Sequence, residues 1–279
     1  MGSLEGKVAF VTGGARGQGR SHCVRMAEEG ADIVVIDVAN IQLDSIFYPM
    51  PTEDDLATTV KLVEETGRSV LARQADVRDQ AALDAVVAEA LERFGHIDVV
   101  SANAGISINM VRTWETSPEE WDNMIDINLR GVWHTAKAVI PSMIDAGRGG
   151  SLVFTSSLAG LKGYRHLGAY TAAKHGVNGL MKTLANELAE YNIRVNSVCP
   201  GMVDTEMMMN PVTYQIFRPD LKNPTQADAV EQFRSMNLLP ADWLEARDIS
   251  ELVVWLASDL SRYVTGLAIP VDAGQTART

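Results

Sequence analysis

Short runs of Val, Ile and other apolar residues alternate along this chain with longer stretches whose apolar positions recur every three or four residues. The short runs are typical of β-strands, and the longer stretches are typical of amphipathic α-helices. Strands are predicted at residues 7–12, 32–37, 69–75, 97–101, 151–155, 194–198 and 267–271. Helices are predicted at residues 18–29, 52–66, 80–94, 118–145, 169–190 and 248–256. This alternation predicts a single α/β domain over residues 1–279, with a doubly wound parallel sheet of about seven strands and helices on both faces.

Two segments interrupt the alternation. Residues 39–52 form an insertion with two prolines and two aromatic residues before the second predicted helix. Residues 202–245 form a long, Met-rich segment before the last helix and strand. Because long connections within a compact domain are usually functional, we predict that residues 202–245 act as a substrate lid. The run Met207-Met208-Met209 fits either the lining of a variable pocket or an amphipathic helix packed on the core.

Composition and charge restrict the class of protein. Hydrophobic residues make up 46% of the 279 residues, enough for a substantial core. The formal net charge of −12 argues against a nucleic-acid partner. The only cysteines, Cys23 and Cys199, lie in apolar segments, which indicates a reducing compartment without a disulfide framework. No signal-like or membrane-length apolar run occurs, so we expect a soluble, cytoplasmic protein that has no membrane partner.

The first predicted strand leads directly into a glycine-rich turn and then a helix. The turn contains Gly13, Arg16, Gly17, Gln18 and Gly19. Glycines allow a tight turn at this position, and they let backbone N–H groups approach a pyrophosphate at the helix N-terminus. A lone glycine cluster is weak evidence, but this one follows a strand and opens a helix, as a dinucleotide-binding site requires. The fold is therefore predicted to be Rossmann-type.

The second predicted strand ends at Asp37, and Val38 follows it; both are predicted to bind the cofactor beside the glycine turn. A carboxylate at this position can accept hydrogen bonds from the adenosine ribose hydroxyls and repels a 2′-phosphate, so Asp37 favours NAD over NADP. Arg16 indicates the opposite preference, because a basic side chain in the turn can meet a 2′-phosphate. We give Asp37 more weight, since its charge lies beside the ribose itself.

Three later strand ends carry small or polar residues. In an open parallel sheet, ligands bind outside the carboxyl ends of the strands. Asp76 and Val77 are predicted to hold the adenine, and the loop after the fourth strand is predicted to leave room for the cofactor. The loop after the sixth strand is predicted to reach the nicotinamide carboxamide. The residues of the last two loops are Asn103, Ala104, Gly105, Pro200, Gly201, Val203 and Thr205.

Candidate chemistry lies in residues 157–174. Tyr170 and Lys174 are four residues apart, so they share one face of a predicted helix. A nearby cation lowers a tyrosine pKa from its usual value of ~10, which makes the phenol a better base. Ser157 follows a strand and can hydrogen-bond a substrate oxygen. Taken alone, the motif often arises by chance and favours an ordinary helix surface. No metal is predicted, because the five histidines show no ligand spacing.

Taken together, the motifs resemble those of the short-chain dehydrogenase/reductase family over nearly the whole chain. They are Thr12-Gly13-x-x-x-Gly17-x-Gly19, Asp76, Asn103-Ala104-Gly105, Asn128, Ser157, Tyr170-x-x-x-Lys174 and Pro200-Gly201. The resemblance identifies Ser157 rather than Ser156 as the catalytic serine, because the family's serine precedes a glycine by three positions. Ser101-Ala102 departs from the family pattern, since many members carry another Asn there.

The resemblance implies a role for each residue. Tyr170 exchanges a proton with the substrate, Lys174 lowers the Tyr170 pKa and binds the nicotinamide ribose, and Ser157 orients the substrate oxygen. Asn128 is implied to anchor a proton-relaying water; without the family pattern, it reads equally as a polar residue satisfying helix backbone. The implied reaction transfers hydride between NAD and a hydrophobic secondary alcohol or ketone. The substrate pocket is expected between residues 106–110, 158–164 and 202–217, and family members commonly form homotetramers.

A narrower resemblance rests on residues 14–22 and on the insertion after Asp37. Both are similar to the mycofactocin-associated, carveol-dehydrogenase-like branch. That branch implies an NAD that does not exchange, a separate redox carrier, and an insertion covering the adenosine half of the cofactor. Two rival interpretations stay open: an NADPH-dependent ketoreductase, which Arg16 favours, and a non-catalytic NAD-binding regulator. The presence of Ser157, Tyr170 and Lys174 argues against the regulator.

Overall fold

A computed structural model describes residues 2–108 and 110–278 of the chain. The strands are β1 (Val8–Thr12), β2 (Asp32–Asp37), β3 (Val70–Gln74), β4 (Val99–Ala102), β5 (Gly150–Thr155), β6 (Ile193–Pro200) and β7 (Ala268–Val271). The α-helices are α1 (Gly17–Glu28), α2 (Glu53–Glu64), α3 (Gln80–Phe94), α4 (Pro118–Ile125), α5 (Gly131–Ala146), α6 (Gly168–Glu187), α7 (Pro211–Phe217), α8 (Gln226–Met236) and α9 (Ala246–Ala257). The seven predicted strands are all found, with ends that differ from the predicted ones by at most a few residues.

The strands form one parallel sheet in the order β3-β2-β1-β4-β5-β6-β7. The first three strands add outward from β1 to β3 on one side of β1. The chain then crosses back, places β4 on the other side of β1, and adds the remaining strands outward to β7. The loops that leave β1 and β4 therefore turn to opposite faces, which opens a crevice at their carboxyl ends. Thr12 of β1 pairs with Ala102 of β4, so two of the predicted cofactor loops lie side by side.

Helices cover both faces of the sheet, which confirms the predicted α/β architecture. One apolar layer includes buried residues of α3, α5 and α6, such as Val87, Val139 and Val177. The other layer includes buried residues of α1, α2 and α9. The inner strands, such as β2, are buried on both sides, which explains why Ile33–Ile36 is an unbroken apolar run.

The predicted helix over residues 118–145 is wrong in one respect. Residues Asp126–Arg130 form a π-helical turn between α4 and α5, and Gly131 donates its backbone N–H to Asp126 O, five residues earlier. Such a turn accommodates one extra residue without ending the helix. It changes which side chains face the sheet, and Asn128 lies within it.

The 202–245 segment is more ordered than its sequence indicates. It contains α7 and α8, which pack on each other through an edge-to-face contact of Phe217 with Phe233, with 4.8 Å between ring centroids. Neither helix was predicted. Met207, Met208 and Met209 lie in a turn before α7, so the amphipathic helix considered for them is wrong. Met208 and Met209 pack against the small apolar cluster around Phe233.

The insertion at residues 39–52 is a loop whose ends meet. Asn40 donates its backbone N–H to Pro51 O at 2.9 Å, which closes the base of the loop. Thr52 then caps α2, because its hydroxyl accepts the backbone N–H of Asp55. Tyr48, at the far side of the loop, is buried. Within the described residues, no helix is long and apolar enough to cross a membrane.

Candidate active site

A cavity of about 410 Å³ lies along the carboxyl ends of the strands. Loops that are far apart in sequence converge on it because parallel strands present their carboxyl ends at one edge. All of the predicted site residues except Asn128 line this cavity: Gly13, Arg16, Gly17, Gln18, Gly19, Asp37, Val38, Asp76, Val77, Asn103, Ala104, Gly105, Ser157, Tyr170, Lys174, Pro200, Gly201, Val203 and Thr205. The cavity therefore joins the predicted nucleotide-binding loops to the predicted catalytic side chains.

The glycine turn packs closely against the loop after β4. The Thr12 hydroxyl accepts the backbone N–H groups of Asn103 and Ala104 at 3.0 Å each. The Asn103 amide donates to the carbonyl oxygens of Thr12 and Gly13 at 3.2 Å each. A Cβ atom at Gly19 would lie 2.0 Å from the Gly13 carbonyl oxygen, so only glycine fits there. The turn is thus held in a fixed shape at the N-terminus of α1.

Asp37 lies at the end of β2 with its carboxylate at the cavity wall. The carboxylate accepts the backbone N–H groups of Ala15 and Val38, both at 2.8 Å. Burial raises the pKa of Asp37 above its ordinary value, and those two hydrogen bonds act in the opposite direction. Each carboxylate oxygen retains further acceptor capacity, which two neighbouring ribose hydroxyls can use.

Arg16 reaches away from the turn to two other segments. Its guanidinium donates to the Pro49 carbonyl oxygen of the insertion. Its Nε lies 4.0 Å from the Glu206 carboxylate of the 202–245 segment. The side chain is mostly buried and already has these partners, so it is not oriented as a dedicated phosphate ligand. This arrangement argues against Arg16 as a ligand of the NADP 2′-phosphate, the alternative that its position in the sequence raised.

Asp76 has a partner that the sequence did not reveal. The Arg78 guanidinium donates to the Asp76 carboxylate, with 2.6 Å between Nη2 and Oδ2. Arg78 also lines the cavity beside Val77. The hydrogen bond to Asp76 raises the Arg78 pKa, so the guanidinium keeps its charge. The signal that could have found it is a basic residue two positions after a strand-end acid.

Ser157, Tyr170 and Lys174 come together at the end of β5. Ser157 precedes a short turn, where its hydroxyl accepts the Ala159 N–H at 3.1 Å. The Lys174 Nζ donates to the Thr155 carbonyl oxygen at 2.8 Å and lies 5.6 Å from the Tyr170 ring centroid. α6 positions the last two residues on one face, as their spacing predicts.

The electrostatics of these residues differ from the expectation that Lys174 lowers the Tyr170 pKa. Burial raises the pKa of Tyr170, and the Ser157 hydroxyl is the group that acts to lower it. Burial also lowers the pKa of Lys174 to about 8. Both side chains are desolvated, and desolvation disfavours the charged form of each. Burial therefore favours the neutral phenol of Tyr170, and the lowering of its pKa by Lys174 stays a prediction.

Asn128 supports the cavity from behind rather than lining it. Its side chain accepts the Ile106 N–H at 2.8 Å and donates to the Ile106 carbonyl oxygen at 2.9 Å. A Cβ atom at Gly105 would lie 2.8 Å from Asn128 Oδ1 and 3.6 Å from Lys174 Nζ, so both side chains crowd this glycine. Asn128 thus fixes the loop after β4 near Lys174. Its role in anchoring a water stays a prediction.

The other end of the cavity is mainly apolar. The predicted pocket segments meet there, except for Asn109, which lies outside the described residues. The apolar lining comprises Ile106, Met110, Leu158, Leu167, Met202, Met207, Met208, Ile216, Phe217 and Met236. Sequence reasoning missed Arg165 and Gln275. It expected the insertion to cover the cofactor and residues 202–245 to form a lid, but it did not single out the lining residues Ile41, Leu43, Tyr48, Met50, Pro51 and Met236. Only the tertiary arrangement brings them there.

Comparison with known proteins agrees with this site. A family model described as short chain dehydrogenase matches residues 7–215. The chain is 51% identical over 276 residues to a (−)-trans-carveol dehydrogenase of Rhodococcus erythropolis, covering 99% of each chain. It is 53% identical over 273 residues to a putative short-chain type dehydrogenase/reductase of Mycolicibacterium smegmatis, covering 98% of each. A carveol dehydrogenase from Mycobacterium avium, solved in complex with NAD, superposes with a TM-score of 0.98 at 48% identity, covering 100% of both chains.

Proposed function

The chain belongs to the short-chain dehydrogenase/reductase family, and we propose that it transfers hydride between NAD and a hydrophobic, carveol-like secondary alcohol or ketone. The observation that carries this proposal is one continuous cavity. At one end it has the glycine turn and Asp37, and at the other it has Ser157, Tyr170 and Lys174. A nucleotide and a small alcohol can therefore meet beside a group able to exchange a proton.

The residues of the nucleotide end fit NAD. The glycine turn leaves backbone N–H groups free to face a pyrophosphate at the N-terminus of α1. Gln18 Oε1 is buried and has no hydrogen-bond partner within residues 2–108 and 110–278, so it is available to a ligand. Asp37 would hold the ribose hydroxyls and disfavour a 2′-phosphate. Val38, Asp76 and Val77 would enclose the adenine, and Pro200, Gly201, Val203 and Thr205 would lie toward the nicotinamide.

Each side chain at the other end has a part in the reaction. NAD, when bound, supplies the hydride acceptor, and the protein binds, orients and moves the proton. Ser157 orients the substrate oxygen with its hydroxyl. Tyr170 exchanges a proton with that oxygen. The Lys174 side chain is held in position by its hydrogen bond to the Thr155 carbonyl oxygen. Because burial raises the Tyr170 pKa, the phenol is ready to protonate a carbonyl, whereas alcohol oxidation requires the phenolate.

The substrate class follows from the lining. Most side chains at the substrate end are apolar, and several of them are Met, which adapts to irregular shapes. Two of the relatives that share about half of their residues with this chain are named carveol dehydrogenases. A cyclic, terpene-sized secondary alcohol suits such a pocket, with the 202–245 segment acting as its lid.

The insertion is proposed to cover the adenosine half of NAD, so that the cofactor stays bound through many turnovers. Arg16 and Tyr48 support this, because each joins the insertion to another wall of the cavity. A retained cofactor needs a separate redox carrier, such as mycofactocin, to reoxidise it in place. NAD that survives gel filtration at dilute protein concentration is the expected result, and complete loss of NAD would contradict retention.

A homotetramer is proposed from exposed large apolar side chains. They include Trp114, Trp121 and Trp133 around α4 and α5, and Leu260, Tyr263 and Leu267 shortly before the edge strand β7. Exposed apolar side chains mark contact surfaces where they cluster. Sedimentation analysis should give a species four times the 30.3 kDa chain mass, and a monomer would contradict the proposal.

One experiment tests the main proposal against its rivals. The cofactor that copurifies is identified by absorbance and mass, and a panel of cyclic secondary alcohols is then added with an artificial electron acceptor. NAD that turns to NADH on alcohol addition supports the dehydrogenase. Copurified NADP would indicate the ketoreductase instead. Bound NAD without any redox response would indicate a non-catalytic regulator.

A further inference from the structure

Tyr164 has a buried hydroxyl that the reaction does not use. The residue lies in the loop between Ser157 and α6, and it lines the substrate end of the cavity. Its ring is partly exposed, but its hydroxyl oxygen is inaccessible to solvent. No group within the described residues 2–108 and 110–278 forms a hydrogen bond with that oxygen. Buried polar groups are nearly always paired, so an unpaired one in a ligand cavity points to the ligand.

Two charged groups near Tyr164, Asp272 and Lys162, are already engaged. The Asp272 carboxylate accepts the backbone N–H of Gly274 at 2.9 Å and both the N–H and the hydroxyl of Thr276, at 2.7 and 2.6 Å. Lys162 lies over the ring of Tyr164, 5.2 Å from its centroid, and donates to the Gln275 carbonyl oxygen at 3.4 Å. These bonds hold the C-terminal turn against the cavity and leave the Tyr164 hydroxyl free.

The protonation state of Tyr164 determines what it can bind. Burial, followed by the charge of Asp272, raises the pKa of Tyr164 to about 12. The hydroxyl is therefore a neutral hydrogen-bond donor throughout the working pH range, not a second base. The same Asp272 charge disfavours an anionic group at this position. A neutral oxygen acceptor, such as an ether, ketone or hydroxyl, is the chemistry that fits.

We propose that Tyr164 selects substrates that carry a second, neutral oxygen on the same skeleton as the reacting alcohol. This inference rests on the proposed dehydrogenase function and adds a second recognition point to it. Apolar side chains such as Met202 and Phe217 bind the skeleton without distinguishing an oxygen from a methylene. A buried donor does distinguish them, because a methylene leaves it unpaired.

The test uses pairs of substrates that differ in one atom. Cyclohexanols with a methoxy group at ring position 2, 3 or 4 are each compared with the ethyl analogue, in which a methylene replaces the ether oxygen. In the wild type, at least one methoxy compound should exceed its ethyl partner in kcat/KM by about tenfold. The ring position at which this preference appears reports the distance from the reacting carbon to Tyr164.

Tyr164→Phe removes the donor and keeps the ring. The variant should lose the preference to within about twofold while retaining turnover of the ethyl compounds. Tyr191→Phe is the matched control, because it deletes the hydroxyl of an exposed tyrosine outside the cavity and should retain the preference. A wild type without preference at any position overturns the inference, as does a preference that survives in Tyr164→Phe. Failure of the wild type to oxidise any compound overturns the proposed function itself.

Discussion

The Tyr48 hydroxyl accepts a hydrogen bond from the backbone N–H of Ser107 at 3.0 Å. Tyr48 belongs to the insertion at residues 39–52, whereas Ser107 follows β4 on the opposite side of the crevice. Burial raises the pKa of Tyr48 to about 12, so the phenol stays neutral and keeps this bond over the whole working pH range. The bond connects the two walls of the cavity beside the cofactor loops.

Tyr48→Phe is expected to speed the release of NAD. The substitution leaves the buried Ser107 N–H without its acceptor, which costs about 1–3 kcal/mol in the closed arrangement. The rate of NAD release should rise by about tenfold, and exchange with labelled NAD measures that rate directly. Tyr191→Phe serves as the control for loss of a hydroxyl elsewhere. Equal release rates in the wild type and Tyr48→Phe would show that the insertion does not retain the cofactor.

Arg16→Gln separates two roles of this arginine. If Arg16 only joins the insertion to the 202–245 segment, the variant should release NAD faster by about tenfold without any change in the choice between NAD and NADP. Arg247→Gln is a matched control, since Arg247 pairs with Glu28 and Glu251 outside the cavity. A selective loss of NADP use in Arg16→Gln would instead identify Arg16 as a phosphate ligand.

Asp37→Asn tests cofactor choice with little change of shape. The amide oxygen can still accept one of the two backbone N–H groups, but the negative charge that repels a 2′-phosphate is removed. The ratio of the affinity for NAD to the affinity for NADP should fall by about tenfold or more. Titration of the cofactor-free protein with each cofactor measures the two Kd values. An unchanged ratio and an unchanged NAD content would remove Asp37 from the specificity site.

Much of the site was predictable because the sheet is parallel. Apolar runs locate the strands, and their carboxyl ends must share one edge, so Gly13, Asp37 and Ser157 converge without further information. The π-helical turn at Asn128 could not be predicted, since one extra residue hardly changes the apolar period of a long helix. The Tyr164 environment was equally hidden, because it depends on the packing of the C-terminal turn.

The pKa directions of Tyr170 and Lys174 show why spacing alone does not determine chemistry. Their four-residue separation correctly predicts a shared helix face. It does not report that Lys174 is buried and Tyr170 partly buried, and this burial opposes the charged form of each. The pKa of Tyr170 is therefore raised, where a cation acting alone would lower it.

Tyr170→Phe should reduce turnover by at least about 10²- to 10⁴-fold, the usual contribution of a positioned acid or base. NAD should remain bound, because the ring is retained and the nucleotide end of the cavity is unchanged. In the wild type, the raised Tyr170 pKa predicts that alcohol oxidation becomes faster as pH rises above neutral, while carbonyl reduction does not. Turnover in both directions across pH checks this. Substantial activity in Tyr170→Phe would reject the assignment.

His22 gives the fold a built-in dependence on pH. It belongs to α1 and is fully buried on the side of that helix that faces α9. Its Nδ1 lies 2.8 Å from the hydroxyl of Ser250 in α9. Burial lowers the pKa of His22 from 6.5 to about 3. Between those two values the unfolded chain binds a proton at this position and the folded chain does not. Stability is therefore fully present above pH 6.5 and is lost as pH falls toward 3.

This linkage predicts a loss of about 2 kcal/mol in the free energy of unfolding between pH 7 and pH 5 from His22 alone. His22→Gln keeps a polar partner for Ser250 but cannot titrate, so its unfolding free energy should fall by about 2 kcal/mol less over the same interval. Urea denaturation of both proteins at the two pH values measures the difference, whatever stability the variant has at pH 7. If the free energy of unfolding fell equally with pH in the two proteins, another group would be the cause, because His22 is the only side chain that the substitution changes.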